Sequence, residues 1–152
     1  MINFFKGKYE FLSNFYPSPI ELCLDDCAVV MAPTVEHYFQ YMKTFSEEEG
    51  IAILAASTPN EAKRLGRKCH LRKDWEEVKD KVMYDALVAK FLIPELREKL
   101  LATGDEYLEE GTYWHDNYWG NCHCEKCVNI TGQNKLGTLL MKVREEIRNG
   151  RI

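Results

Sequence analysis

Up to Met31 the apolar positions come in short aromatic and β-branched runs, broken by Ser13-Asn14 and by Pro17-Ser18-Pro19. Ile20 to Leu24 and Cys27 to Met31 flank Asp25-Asp26, a pattern that predicts two antiparallel strands joined by a tight turn. After Pro33 the period lengthens from two to about 3.6 residues. Thr34 stands as N-cap before a helix over Val35 to Lys43, with Val35, Phe39 and Met42 on one face. Ser46 with Glu49, and Thr58-Pro59 with Glu61, mark two more helix starts. A longer helix is expected from Asp74 to Phe91, turning Trp75, Val78, Val82, Ala86 and Phe91 inward. Pro94 restarts the chain into a helix ending near Gly104. The last helix is expected from its N-cap Asn134 to Arg148, with Leu136, Leu139, Leu140, Val143 and Ile147 inward and Gly150 beyond its end. No linker divides the chain. The pattern predicts a single α+β domain over residues 1–152, predominantly helical, with a small N-terminal antiparallel sheet and about five or six helices.

Composition narrows the class. The chain has 152 residues, 45% of them hydrophobic and 29% charged, enough for one full core and against intrinsic disorder. Lys plus Arg number 20 against 24 Asp plus Glu, a net charge of −4, so bulk electrostatic binding of duplex DNA is excluded and any phosphate contact is local. No apolar run reaches membrane-spanning length, and Met1 to Lys6 lacks the pattern of a signal peptide, so the expectation is a cytoplasmic protein without a membrane partner. Six cysteines in a chain that folds without staples favour free thiols or a metal site over a disulfide framework. Cys23 and Cys27 fall in the predicted hairpin and read as small core residues.

Glu36, Gln40 and Lys43 share a helix face opposite the apolar one. A helix N-terminus and a nearby lysine both stabilise a carboxylate, which suits a group that stays ionised to activate water. Acidic residues also occupy first helical turns for dipole reasons alone. Lys63, Arg64, Arg67, Lys68, Arg72 and Lys73 form a local basic cluster, which fits phosphate or a solvated helix face, its position relative to a pocket deciding between them. Tyr113 to Gly120 packs four aromatics with His115, Asp116 and Asn117, a composition that suits stacking on a base or an aromatic mini-core under a loop. Cys122, Cys124 and Cys127 can gather thiolates around a structural zinc ion, with His115, His123 or another group as fourth ligand. The start of the last helix lacks a P-loop pattern and offers backbone amides to an anion, while a turn and cap already account for Gly132 and Gly137.

Phe11-Leu12-Ser13-Asn14-Phe15, Thr34-Val35-Glu36-His37-Tyr38-Phe39-Gln40, Ala62-Lys63-Arg64-Leu65-Gly66-Arg67, Asp116-Asn117-Tyr118-Trp119-Gly120 and Gly132-Gln133-Asn134-Lys135-Leu136-Gly137 follow in order over nearly the whole chain. Together they resemble the YbiA-like, or NADAR, superfamily. That resemblance implies an N-glycosidase: one branch cleaves ribosylamino-pyrimidine phosphates of early riboflavin synthesis, another removes ADP-ribose from guanine. It implies Glu36 at the reacting centre, Asn14 and Phe15 in the pocket, Lys43 and Arg67 as polar or phosphate contacts, and Asp116 and Trp119 as ribose and base contacts. Lys63 joins Arg67 on phosphate, and Tyr118 shares stacking with Trp119.

Breaking a ribosyl C–N bond builds oxocarbenium character on the sugar, which an adjacent carboxylate stabilises while it activates water. Glu36 suits this role as an ionised group, and no cofactor is required for the reaction. The first expectation is hydrolysis of ribosylamino-pyrimidine phosphates. The second keeps the chemistry with ADP-ribosylated guanine in nucleic acid or nucleotide as partner, and the third is a nucleotide- or ADP-ribose-binding module without turnover. The leaving base and the oligomeric state are not written in the sequence.

Overall fold

The chain runs β1 (Ile20–Cys23), β2 (Val29–Ala32), α1 (Val35–Tyr41), α2 (Glu47–Leu54), α3 (Pro59–Lys68), α4 (Trp75–Phe91), α5 (Pro94–Ala102), β3 (Gly111–Thr112), β4 (Asn121–Cys122) and α6 (Lys135–Arg148), with 3-10 segments at Gly7–Leu12 and Glu125–Cys127. This computed structural model describes residues 1–24 and 26–152. The expected helices and the helix-dominated α+β class are both present. Two compact units are formed, one from Asn14–Lys90 and one from Met1–Ser13 with Phe91–Ile152. No helix among the described residues is long and apolar enough to cross a membrane.

In the Asn14–Lys90 unit, β1 and β2 pair antiparallel with Ile20 opposite Ala32 and Cys23 opposite Val29. Strand alternation buries Ile20, Val30 and Ala32 and turns Glu21, Cys23, Val29 and Met31 outward. The expected core role of Cys23 and Cys27 is therefore wrong, since both are exposed. Cys23 sits on the outward register, and Cys27 takes a left-handed φ of 68° in the connection, so β2 starts at Val29 rather than Cys27. Of the expected Asp25-Asp26 turn, Asp25 lies outside the described residues.

Thr34, Ser46 and Thr58 cap α1, α2 and α3 as their spacing predicts, each side chain accepting from the backbone N–H three residues on. Helix α1 stops at Tyr41, two residues earlier than expected. It packs against both α2 and α3, so Val35 and Phe39 are buried on one side and Glu36 and Gln40 on the other. Gly66 permits the approach of α3, because a Cβ there would overlap the Gln40 amide oxygen. Within α4, Trp75, Val82 and Ala86 face inward as expected, joined by Met83 and Leu87, while Val78 is half-buried. Trp75 meets Phe39 edge to face at 5.0 Å.

In the other unit, Phe11 meets Phe91 edge to face, and Leu96, Leu100, Leu136, Leu140 and Val143 form the core. Leu139 and Ile147 are only half-buried. Gly104 and Gly150 follow α5 and α6 at φ of 63° and 68°, the left-handed termination their positions predicted. Strands β3 and β4, parallel and two residues each, have no counterpart in the sequence reading, being too short for alternation to register.

Candidate active site

Glu36 lies in the first turn of α1, its backbone N–H donating to the Asn14 carbonyl at 3.1 Å. The side chain is buried, and Gln40, one turn on, donates from Nε2 to Glu36 Oε1 at 2.7 Å. Among the described residues Oε2 has no protein hydrogen-bond partner, which leaves one carboxylate oxygen for water or substrate. Burial pushes the Glu36 carboxyl above its ordinary range, against the Gln40 hydrogen bond and the positive charges of Lys63 and Lys43. The lysine acts in the expected direction, but desolvation outweighs it. A carboxyl whose pKa is raised by burial suits acid–base chemistry better than an ordinary surface glutamate.

Lys43 follows α1 and rests its ammonium over the rings of Phe39 and Trp75, at 5.6 and 5.9 Å. Burial lowers its affinity for a proton while Glu36 raises it. Lys63 and Arg67, one turn apart on α3, add positive potential around this pair. Among the described residues, two buried acceptors, Asn14 Oδ1 and Gln40 Oε1, have no hydrogen-bond partner. Orphaned buried acceptors are costly and are retained where a ligand donates to them. Asn14 otherwise contacts Met83 Sδ at 3.6 Å, and the neighbouring Phe15 is partly exposed.

The remaining basic residues separate from this group. Arg64 is spent on Glu61 and Arg72 on Asp74, each through two hydrogen bonds. Arg72 and Lys73 line a groove of about 430 Å³ with Phe45, Leu71 and His70, and that groove does not include Glu36. Buried His37 is structural: Thr34 Oγ1 lies 2.8 Å from Nδ1 and the Ala56 carbonyl 2.9 Å from Nε2. A carbonyl only accepts, so in the neutral ring Nε2 carries the proton and Nδ1 takes the Thr34 hydroxyl hydrogen.

Asp116, Tyr118 and Trp119 belong to the other unit. Asp116 Oδ1 accepts from the backbone N–H groups of Tyr118 and Trp119, at 3.1 and 2.9 Å, and so shapes its own loop. Tyr118 and Trp119 meet edge to face at 4.9 Å. Four carbonyls of this loop, from Asn117, Tyr118, Trp119 and Gly120, accept from the N–H groups of Gln133, Lys135, Leu136 and Asn134. The amides that the sequence left open to an anion at the start of α6 are thus already used by the loop. Asn134 holds the N-cap position at φ 49° without capping α6. Its side chain instead accepts from Glu110 N–H and donates to the Leu108 carbonyl. Gly137 lets α6 lie against that carbonyl, which a Cβ would overlap.

The thiols at 122, 124 and 127 converge with His115, their ligand atoms all lying within 4.8 Å of one another. His115 Nδ1 is 3.3 Å from both Cys124 Sγ and Cys127 Sγ. His123, the other candidate, turns to Glu109 at 3.3 Å.

The family model described as NADAR domain matches residues 3–148. The chain belongs to this family. It is 43% identical over 147 residues to N-glycosidase Npun_R5314 of Nostoc punctiforme, covering 93% of this chain and 87% of that one. Against N-glycosidase YbiA of Escherichia coli the identity is 41% over 152 residues, 97% of this chain and 88% of the other. The NMR structure of that E. coli protein matches with a TM-score of 0.79 at 39% identity, covering 99% of this chain and 89% of the other. Riboflavin biosynthesis protein PYRR, chloroplastic, of Zea mays is 36% identical over 148 residues, 89% of this chain but 23% of its own length. The expected enzyme class, N-glycosyl hydrolase, stands with this membership.

Proposed function

We propose that this NADAR-family chain hydrolyses the ribosyl C–N bond of ribosylamino-pyrimidine phosphates, with Glu36 as the catalytic carboxyl group. The observation that carries the reading is the state of Glu36: buried, held through one oxygen by Gln40, with no hydrogen-bond partner at Oε2 among the described residues. As the carboxylate it orients a water and takes its proton while charge develops on the anomeric carbon. The C–N electron pair leaves with the pyrimidine nitrogen, which takes up a proton, and the water oxygen remains on the ribose. Lys63 and Arg67 meet the phosphate, and Asn14 Oδ1 accepts from a sugar hydroxyl, filling its missing hydrogen bond. Lys43 holds the local potential positive, which favours the ionised form of Glu36. Support for the substrate class comes from the riboflavin biosynthesis name carried by the maize relative.

The test is release of ribose 5-phosphate from ribosylamino-pyrimidine phosphates, run beside removal of ADP-ribose from modified guanine, with wild type and Glu36→Gln. Turnover of the pyrimidine riboside that disappears in the variant is expected. Activity confined to the guanine adduct overturns the substrate. Turnover retained by Glu36→Gln overturns the role of Glu36, and binding of both ligands without turnover leaves a sensing module.

A further inference from the structure

We propose that His115, Cys122, Cys124 and Cys127 bind a single zinc ion that holds the segment around the Asp116–Gly120 loop in shape. The ligand set is three soft thiolates and an imidazole, one of the standard sets of structural zinc sites. Zinc bonds of about 2.3 Å to sulfur and 2.0–2.1 Å to nitrogen set tetrahedral ligand separations of about 3.5–3.8 Å. The four ligand atoms meet that scale, all lying within 4.8 Å and two of the sulfurs at 3.3 Å from the histidine nitrogen. Four protein ligands complete the tetrahedron, so the ion is structural and has no open position for a reacting water.

The surrounding backbone is bent to this end. His115 holds a left-handed φ of 68°, a conformation that costs a non-glycine residue, and its N–H donates to Cys122 Sγ at 3.3 Å. Asn117 Oδ1 accepts from Cys122 N–H, fixing the thiol that precedes the turn, and Cys127 N–H donates to the Cys124 carbonyl, closing the other two ligands into one 3-10 turn. The segment is held by hydrogen bonds rather than by an apolar core: β4 is two residues long, and Val128 and Ile130 are exposed. Cys122 and Cys127 are buried while His115 is exposed, which shields the thiolates and leaves a side for the ion to enter. Binding releases the thiol protons to solvent. The inference does not depend on which riboside is hydrolysed.

Elemental analysis of the full chain, produced with zinc supplied and passed over a chelating resin, is expected to give about one zinc ion per chain. Exchange for Co2+ is expected to produce thiolate-to-cobalt charge-transfer bands and the visible bands of a tetrahedral ion. Cys124→Ser is expected to retain zinc at least about tenfold more weakly, His115→Cys to keep the ion with a cobalt spectrum shifted toward all-sulfur coordination, and Cys69→Ser to match wild type. Stripping the ion with a strong chelator is expected to open the 113–130 segment to protease. A wild-type chain that carries neither zinc nor cobalt, a disulfide among these three cysteines in the chain as isolated under reducing conditions, or unchanged metal retention in Cys124→Ser overturns the proposal.

Discussion

Glu36 is buried and the His115 cluster partly exposed, and the two polar groups are held by opposite means. Glu36 sits on a regular helix between two others, and its position costs desolvation that a single amide and distant positive charges only partly offset. Around the thiols the backbone itself is irregular, and side chains bind it: Asp116 the amides of Tyr118 and Trp119, Asn117 that of Cys122, Asn121 that of Gly132, Asn134 that of Glu110. Among the described residues the helical region keeps polar atoms unsatisfied at Asn14 and Gln40, whereas four successive carbonyls of the loop accept from the N–H groups at the start of α6. Unsatisfied groups on a rigid frame suit a ligand that comes and goes. Satisfied groups on an irregular frame suit a fixed shape.

The largest effect that sharpens this contrast is at Glu36. Glu36→Gln is expected to lower kcat/KM by about 10²–10⁴-fold, the range for loss of a general base, while raising stability. The native carboxyl pKa lies above its ordinary 4.5, so between 4.5 and the native value the folded chain binds more protons than the unfolded one. Stability from this group therefore falls as pH rises through that window. Above it the ionised group is a net cost, and the glutamine variant is expected to gain about 1 kcal/mol at neutral pH. Thermal unfolding across pH checks this: a variant less stable than wild type at neutral pH breaks the contrast. The acid limb of wild-type kcat/KM is expected above the ordinary glutamate range for the same reason.

The counterpart in the loop is removal of zinc, where the contrast predicts the opposite sign. Loss of the ion is expected to destabilise the chain by several kcal/mol, read as a lowered melting temperature after chelation. If the stripped chain melts with the zinc-loaded one, the loop is held by its hydrogen bonds alone.

Next come the two glycines. Gly66→Ala forces a methyl into the Gln40 amide, and Gly137→Ala into the Leu108 carbonyl. Each is expected to cost about 1–3 kcal/mol, as for other overpacked sites. Gly66→Ala should also move the acid limb of kcat/KM, because Gln40 sets the hydrogen bond to Glu36. Gly137→Ala should leave that limb in place. Equal shifts in both would show that the limb reports general loosening rather than the Gln40 contact.

These regions also differ in how much of them the sequence displays. The helix starts at Thr34, Ser46 and Thr58 are legible because a cap is a local contact three residues long. The shared face of Glu36 and Gln40 follows from helical spacing, but its burial does not, because it depends on α3 arriving across Gly66. A glycine inside an otherwise helical segment was the available sign. Asn134 misleads in a different way: it stands where a cap belongs, and its side chain is drawn 24 to 26 residues back along the chain. His115 and His123 are equivalent in spacing arguments; in the fold His115 turns to the thiols and His123 to Glu109.

The smallest effects separate two neighbours of the basic cluster. Arg64 and Lys63 are adjacent on α3, yet Arg64 pairs with Glu61 at the surface, where exposed pairs contribute little. Lys63 instead lowers the Glu36 pKa through its charge. Arg64→Met is expected to change stability by less than about 0.5 kcal/mol and leave the pH profile alone. Lys63→Met is expected to raise the Glu36 pKa further, moving the acid limb of kcat/KM upward, and to raise KM for a phosphorylated substrate more than for its dephosphorylated form. The profile separates charge from packing: Lys63→Arg, which keeps the charge on a bulkier group, should hold the acid limb near wild type. If Lys63→Met and Arg64→Met shift the limb equally, the cluster acts as a diffuse field and Lys63 has no particular place beside Glu36.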